Sequence, residues 1–317
     1  MPRPFRFGLT LFPVMSDRDE WTEAVKEAAD AGISTITISD HFGSSGGIWS
    51  SLMAAHEAAP DLRLGTLVLT NDFWNPSILA RETITADVLS DGKLELGVGA
   101  GWAEEDYRAT GIERGPARDR IERLDEALTI LSQAFAGERV HLSGKYYDVD
   151  GGAPWPRPVQ SHIPLLVGGG GKRILQLAAQ RADIVSIHRD LQRGIAESWA
   201  PEYGDRGGFP DAVSERVHWI KEAAGARFDE LELHALLLKI AVTDDRAGVA
   251  AELGGPNGLT ADQVLASPHY LIGSVEQMIE DLIDRRERWG ISYWTVVGGN
   301  ALGPFQPVID RLAEVSV

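Results

Sequence analysis

The hydrophobic pattern of the chain alternates between a strand-like and a helix-like period. The apolar run FRFGLTLF is followed by DRDEWTEAVKEAADAG, in which apolar or small positions recur at helical spacing. The same order, a strand-like run followed by a helix-like run, recurs in three units whose strand-like runs are TITISDH, LRLGTLVLT and KLELGVGAG. Four such units therefore fill the first half of the chain. Later strand-like runs are LLVGGG, DIVSIH, LHALLLKIAV and YWTVVGG. The pattern therefore predicts eight strands.

Alternating strands and helices indicate parallel strands joined by helices, and eight such units fit a closed barrel better than an open sheet. The expected fold class is therefore an α/β (β/α)8 TIM barrel that forms one domain over residues 1–317. The periodicity fades near 141–164, 190–211 and 243–269, where Gly, Pro and Asp are frequent. Long segments of this kind are expected to be insertions or active-site lids.

Composition and charge narrow the choice of partner. Forty-seven acidic against thirty basic residues give a formal net charge of -17. Because such a chain is repelled by nucleic acid and by anionic membranes, a small-molecule partner is expected. The chain has no cysteine, which excludes a disulfide framework and cysteine-ligated metal, and no metal site is predicted. The start MPRPFRFGL lacks an extended apolar signal core, so a cytoplasmic location is expected.

Polar side chains stand at the predicted ends of neighbouring strands. Asp40 and His41 follow the second strand, and Thr70 and Asn71 follow the third. The C-terminal ends of barrel strands converge on one mouth, where the chemistry of such barrels takes place. Asp40 and His41 are therefore candidate catalytic residues, although a capping aspartate and a packed histidine would also fit this pattern.

Glycines mark the ends of the fourth and fifth strands. The three glycines of LGVGAGW would let a flat ligand lie on the backbone before Trp102, while a tight turn explains them equally. Their spacing is not the GxGxxG of a dinucleotide site. In VGGGGKR, successive amides precede a helix that begins with Lys172 and Arg173. This arrangement favours an anion site suited to phosphate, without the Walker pattern of a nucleotide triphosphatase.

Four segments, in this order and spacing, resemble the luciferase-like monooxygenase superfamily, and most closely its oxidoreductases that use the deazaflavin coenzyme F420. They are EAADAGISTITISDHFG, LRLGTLVLTNDFWNPSILARETITADVLSDGKLELGVGAGWAEEDY, PLLVGGGGKRILQLAAQRADIV and YLIGSVEQMIEDLIDRRERWGISYW. The resemblance covers most of the chain. It implies a single luciferase-like barrel with insertions, usually paired into a homodimer through helices of its first half.

The resemblance also implies where F420 would bind. His41 and Asp40 match the pair beside the reactive face of the ring, where a transferred hydride needs a donor or acceptor for the accompanying proton. A non-proline cis peptide is expected between Leu67 and Val68, and Arg189 is a candidate contact for the acidic tail. The implied cofactor-binding residues are Asp40, His41, Leu67, Val68, Thr70, Gly99, Ala100, Gly101, Trp102, Gly168, Gly169, Gly170, Gly171, Lys172 and His188.

The chain departs from the sugar-phosphate dehydrogenase branch of this superfamily. That branch has a glutamate where this chain has Trp102, and an aromatic residue where this chain has Ser44, Ser45 and Gly46. Glucose 6-phosphate is therefore not the expected substrate. An apolar, aromatic-lined pocket is predicted instead, although two of its candidates, Trp49 and Trp155, fit packing roles equally well. The candidate pocket residues are Trp102, Phe73, Trp74, Trp49 and Trp155.

The expected function is an F420-dependent oxidoreductase that transfers a hydride between the deazaflavin and a small, apolar or aromatic organic substrate. One alternative is an FMN-dependent monooxygenase of the same superfamily. Another is a flavin-binding or deazaflavin-binding protein without turnover. A barrel aldolase is a more distant alternative, because Lys239 is the only near candidate for a Schiff-base lysine.

Overall fold

The computed structural model describes residues 3–12, 17–43, 45–152, 156–190, 208–298 and 302–314. Its strands are β1 (Arg6–Leu11), β2 (Thr35–Ile38), β3 (Arg63–Thr66), β4 (Leu69–Thr70), β5 (Leu94–Gly99), β6 (His141–Ser143), β7 (Asp148–Asp150), β8 (Leu165–Gly169), β9 (Ile184–Ile187), β10 (Glu232–Leu237), β11 (Lys239–Val242), β12 (Tyr270–Gly273) and β13 (Ile291–Val297). Its α-helices are α1 (Arg18–Asp30), α2 (Ile48–Ala58), α3 (Pro76–Leu89), α4 (Glu104–Thr110), α5 (Ala117–Phe135), α6 (Lys172–Arg181), α7 (Pro210–Ala224), α8 (Arg246–Gly254), α9 (Ala261–Ala266), α10 (Val275–Trp289) and α11 (Leu302–Glu314). Among these helices, none combines the length and apolar character needed to span a bilayer.

The main sheet closes on itself. Its strand order is β3-β2-β1-β13-β10-β9-β8-β5-β4, and a further pairing of β3 with β5 completes the ring. Every pairing in this sheet is parallel. Since β3 and β4 are two parts of the third strand, the ring has eight strands, and the predicted TIM barrel is confirmed.

The barrel strands are buried because helices cover the outside and side chains fill the inside. All four residues of β2 and all six of β5 are buried, as expected for parallel strands with both faces covered. Inside the barrel, the hydroxyls of Thr10 and Thr37 on neighbouring strands lie 2.8 Å apart. The N-terminal opening is filled by an ionic cluster in which Glu95 pairs with Arg6 and Arg63. The predicted site residues lie at the opposite, C-terminal ends of the strands.

The seventh predicted strand was wrong in its extent. The run LHALLLKIAV is divided into β10, which belongs to the barrel, and β11, which pairs with β12 in a separate two-stranded parallel sheet. The backbone leaves the barrel at Leu238, whose amide donates to the carbonyl of His269 (2.9 Å). The apolar pattern continues across the division because both strands are partly buried. Such a pattern indicates which residues are buried, but it does not show which strand they pair with.

Two of the predicted insertions contain secondary structure. The antiparallel hairpin of β6 and β7 lies within 141–164, and α8 and α9 lie within 243–269. Most of 190–211, together with Ser44 and Trp155, falls outside the described residues. The helices α4, α8, α9 and α11 were not predicted, and α11 contains Pro307, which weakens its sequence signal.

Candidate functional site

The structure brings the residues that were predicted to bind the cofactor to the C-terminal mouth of the barrel. They follow β2, surround the junction of β3 and β4, or lie at the ends of β5, β8 and β9. The peptide bond between Leu67 and Val68 is cis, as predicted. The roles of these residues remain predictions.

His41 is held by an aspartate that the sequence did not single out. Its Nδ1 lies 2.6 Å from Oδ2 of Asp106, whose other oxygen accepts from the amide of Phe42 (3.0 Å). A carboxylate only accepts, so the imidazole carries its proton on Nδ1 and presents Nε2. Within the described chain, Nε2 has no hydrogen-bond partner, and the ring of Trp102 packs edge-on at 5.6 Å. His41 is therefore oriented with one nitrogen available.

Asp106 was missed because it lies in the acidic run AEEDY at the start of α4, where carboxylates normally face water. Glu104 and Glu105 are exposed, whereas Asp106 is buried. Helical spacing supplies the signal that would have identified it. Ala103, Asp106 and Tyr107 stand at i, i+3 and i+4, so an aspartate shares the helix face of two residues that are buried.

Asp40 connects the end of β2 to the segment that follows β4. Its Oδ2 accepts from the indole Nε1 of Trp74 (2.9 Å) and from the amide of Thr70 (3.1 Å). Burial raises the pKa of Asp40, and these two hydrogen bonds oppose that increase. Trp49 packs edge-on against Trp74, with ring centroids 6.2 Å apart. Trp74 therefore orients Asp40, and Trp49 supports it.

The glycines of β5 and of the turn after it stand where neighbouring parts of the protein come close, and their contact with a flat ligand stays a prediction. A Cβ on Gly97 would lie 1.9 Å from the carbonyl oxygen of Thr66, and one on Gly99 would lie 2.9 Å from Cγ2 of Val68. Gly101 adopts a left-handed φ of 75° and faces the hydroxyl of Tyr107. The backbone at the junction of β3 and β4 therefore occupies the space that side chains on β5 would need.

A buried arginine fixes the turn after β5. Arg120 on α5 donates from Nε to the carbonyl of Ala100 (3.0 Å) and from Nη2 to that of Gly101 (3.2 Å). Its third nitrogen donates to the carbonyl of Gly115. One guanidinium therefore satisfies three carbonyls and holds the turn that carries Trp102. The sequence alone could not assign this role to Arg120, because the carbonyls of Ala100 and Gly101 lie twenty and nineteen positions away along the chain.

The glycine loop, residues 168–171 at the end of β8, is closely packed against its neighbours in the chain. A Cβ on Gly169 would lie 2.3 Å from Cγ2 of Ile174, and one on Gly170 would lie 2.1 Å from the carbonyl oxygen of Arg189. The buried Arg216 donates from Nε to the carbonyl of Gly170 (2.9 Å). Among the described residues, no side chain caps the N-terminus of α6 at Gly171. The first-turn amides of this ten-residue helix are therefore available to an anion.

Positive charge surrounds this loop. Lys172 begins α6, and the buried Arg189 and Arg216 lie behind the loop. Burial, and to a lesser degree the charge of Arg216, lower the pKa of Arg189 to about 10, which leaves it charged at neutral pH. Arg173, by contrast, pairs with Glu122 (2.8 Å). Local cations therefore oppose the net negative charge of the chain at this point.

Three histidines at or below the mouth are held neutral. Burial lowers the pKa of His188 to about 4, and it lowers the pKa of His234 and His269 well below the ordinary value. His188 follows β9, and its ring lies 3.6 Å from the position of a Cβ on Gly168. The imidazole of His269 donates to the carbonyl of Leu236 (2.9 Å). These rings act as neutral hydrogen-bonding groups at physiological pH.

Acidification from pH 6.5 towards 4 is expected to destabilise the protein. In this window the unfolded chain binds protons on these three imidazoles and the folded chain does not, so the free energy of unfolding falls as the pH falls. Thermal unfolding across this range measures the effect. In His269→Asn the amide can still donate to the carbonyl of Leu236, and the pH slope should fall by about one proton. An unchanged slope in this variant would contradict the assignment of His269.

Comparison with other proteins identifies the family of this chain. The pattern described as luciferase-like monooxygenase matches residues 7–292. A protein of Microbacterium testaceum (strain StLB037) named F420-dependent glucose-6-phosphate dehydrogenase is 31% identical over 191 residues, which are 58% of this chain and 56% of that protein. The match thus spans about half the length of this relative.

Solved structures share the fold over the whole chain. The F420-dependent tetrahydromethanopterin reductase of Methanopyrus kandleri superposes with a TM-score of 0.77 at 19% identity, over 99% of this chain and 100% of that one. An F420-dependent secondary alcohol dehydrogenase in complex with an F420-acetone adduct gives 0.76 at 18%, over 98% and 99%. The oxygenating constituent of 3,6-diketocamphane monooxygenase from Pseudomonas putida, in complex with FMN, gives 0.69 at 17%, over 99% and 97%. At these identities the similarity establishes the fold.

Proposed function

Because the chain belongs to the luciferase-like monooxygenase family, we propose that it is an F420-dependent oxidoreductase acting on a small organic substrate. The observation that carries the proposal is the pair formed by His41 and Asp106 at the barrel mouth. When bound, the deazaflavin supplies hydride transfer, and the protein supplies binding, orientation and proton handling. The F420-dependent activity named for the relative supports this choice.

The residues of the mouth fit the two ends of such a cofactor. The uncapped N-terminus of α6 and Lys172 would hold its phosphate. The cis peptide at Leu67 and the residues from β2 would border its ring. Arg189, close behind the glycine loop, adds positive charge for an acidic tail. Both the anion site and the free imidazole nitrogen are therefore available in one mouth.

His41 is the proton-handling group in this proposal. Its Nδ1 proton is donated to Asp106, so Nε2 is the atom that accepts or returns a proton. The carboxylate is itself fixed by the amide of Phe42, which keeps the ring orientation constant. The side chain of His41 is 33% exposed, so it exchanges protons with water between turnovers. Asp40, which is buried, holds the surrounding backbone.

The substrate is proposed to be apolar or aromatic. Phe42 is 54% exposed beside His41, and it packs edge-on against Phe73, with ring centroids 5.6 Å apart. Trp102 packs edge-on against the ring of His41. An exposed phenylalanine at the mouth of a barrel favours contact with an apolar group. This departs from the sugar phosphate named for the relative from Microbacterium testaceum.

The protein is also proposed to form a homodimer. The helix α3 carries apolar residues on its exposed face, including Ile78, Val88 and Leu89, of which Leu89 is 61% exposed. A second copy of the chain packed against this helix would remove that surface from water.

An FMN-dependent monooxygenase is the second candidate, because an FMN-bound enzyme shares this fold. Titration of the purified protein with F420 and with FMN, followed by fluorescence, separates the two. We expect F420 to bind with a Kd on the order of micromolar or lower, equivalent to about -8 kcal/mol, and FMN to bind far more weakly. Tight FMN binding, with oxygen consumption by the reduced complex, would contradict the F420 proposal and support the FMN-dependent monooxygenase.

The same titration tests the phosphate site. Lys172→Ala is expected to weaken F420 binding by about tenfold or more, because a charged contact is lost. Arg181→Ala, at the other end of α6, removes a surface pair with Asp125 and should leave the affinity unchanged. Substitutions at Gly170 cannot serve, since any side chain there meets the backbone of Arg189. If Lys172→Ala and Arg181→Ala changed the F420 affinity equally, the phosphate would not bind at the N-terminus of α6.

A further inference from the structure

A chain of buried polar side chains runs from the mouth into the barrel. Nε2 of His188 lies 2.9 Å from Oγ of Ser186, which lies 2.7 Å from Nδ1 of His234. Nε2 of His234 lies 2.8 Å from Oγ1 of Thr295. Ser186, His234 and Thr295 come from β9, β10 and β13, which are adjacent strands, and all three are fully buried. His188 directly follows β9 and is half-buried. The proposed chemistry at His41 does not use them.

The single hydroxyl proton of Ser186 couples the tautomer of His188 to the tautomer of His234. The hydroxyl of Ser186 has one proton and lies between two ring nitrogens, so it donates to one ring and accepts from the other. If Ser186 donates to His188, both neutral rings carry their proton on Nδ1. If it donates to His234, both carry it on Nε2. Only these two arrangements satisfy every contact between the two rings.

The buried end of the chain decides between the two arrangements. With both protons on Nδ1, the hydroxyl of Thr295 donates to Nε2 of His234, and every contact between the four side chains is satisfied. The one donor of these four side chains that is left over is Nδ1–H of His188, which is only half-buried at the mouth. With both on Nε2, that hydroxyl must accept, and its own proton has no other acceptor within hydrogen-bond distance in the described part of the chain. A buried donor without a partner costs about 1–3 kcal/mol. The Nδ1–H arrangement is therefore favoured.

We propose that His234 is a positioning residue that acts through Ser186 on His188, fixing its ring and placing its proton on Nδ1. Nδ1 of His188 has no partner within the described residues, and the ring adjoins Gly168 at the start of the glycine loop. An N–H donor at this point suits a phosphate or hydroxyl oxygen of the cofactor. The identity of this ligand rests on the proposed function, whereas the tautomer does not.

The neutral state that this arrangement requires agrees with the surroundings. Burial, with Arg189 and Arg216 nearby, lowers the pKa of His188, and burial lowers that of His234. Each ring therefore carries one proton at neutral pH. Because a neutral histidine in water favours Nε2–H, an Nδ1–H tautomer at His188 is a distinctive property of the folded protein.

Nitrogen NMR of the histidine-labelled, ligand-free protein at pH 7.5 tests the proposal. We expect Nδ1–H signals for both His188 and His234, assigned by loss of one signal in His188→Gln. Ser186→Ala should shift His188 towards Nε2–H. His234→Leu should do the same, whereas the amide of His234→Asn can still donate to Ser186 and should preserve the Nδ1–H form. His269→Asn serves as the control that leaves His188 unchanged.

Binding supplies a second measurement. Ser186→Ala is expected to weaken F420 affinity about threefold to tenfold, the effect of one misdirected hydrogen bond, while His269→Asn retains it. An Nε2–H tautomer at His188 in the wild type, or no change in Ser186→Ala, would overturn the proposal. If the wild type does not bind F420, the proposed function fails, and the nitrogen signals of the ligand-free protein still decide whether His234 controls His188.

Discussion

Replacing His41 by alanine is expected to lower turnover with F420 by about a hundredfold or more, the usual contribution of a general acid or base. The affinity for F420 should change by less than about tenfold, because phosphate and ring contacts supply most of the binding energy. Turnover is measured from the F420 absorbance with the best substrate in a panel of small alcohols, ketones and enones. Affinity is measured by fluorescence titration.

Two further variants show whether the loss reflects proton handling. In Asp106→Asn the amide oxygen must still accept from the amide of Phe42, so the NH2 group faces Nδ1 of His41 and forces the proton onto Nε2. We expect a loss of turnover that approaches that of His41→Ala, with the fold retained. His218→Ala, which changes an exposed histidine of α7, should have no effect. Full turnover in His41→Ala would leave the histidine with a structural role.

Gly97→Ala is expected to lower the free energy of unfolding by more than about 4 kcal/mol, a loss typical of severe steric conflicts. The added methyl would lie 1.9 Å from the carbonyl oxygen of Thr66. Neither strand can move away easily, because the hydroxyl of Thr66 donates to the carbonyl of Gly97 and accepts from its amide. Thermal unfolding and the yield of folded protein measure this effect.

Gly168→Ala provides the matched control, since it adds the same methyl to the end of a neighbouring barrel strand. Its nearest contact would be Cβ of Ser186 at 3.4 Å, an ordinary van der Waals distance. This variant should fold and melt within a few degrees of the wild type. If Gly97→Ala melted at the same temperature as Gly168→Ala, the close approach of β3 to β5 would be wrong.

The features that could be predicted from the sequence are those encoded in local patterns. Apolar runs alternating with helical periods identify a barrel, and the C-terminal ends of its strands place Asp40 and His41 at the mouth. The cis bond between Leu67 and Val68 came from family resemblance rather than from residue patterns, and it is present. Local patterns and resemblance together therefore located the mouth.

The features that were missed depend on partners distant along the chain. Asp106 lies sixty-five positions from His41, and Ser186 lies forty-eight from His234. A buried aspartate in an acidic run and a histidine in an apolar strand each have an ordinary local explanation. The packing role of Gly97 was missed for the same reason, since only the position of Thr66 shows what fills the space beside it.

The departure of the backbone from the barrel after β10 gives this protein a modular region beside its mouth. The sheet of β11 and β12, with α8 and α9, has a small core separate from that of the barrel, formed by Ala250, Leu259, Val264, Tyr270 and Ile272. The register of β10 with β13 is set before the chain leaves. A change of side-chain size in this small core is therefore expected to act first on its own packing, because its members pack against one another and not within the barrel core.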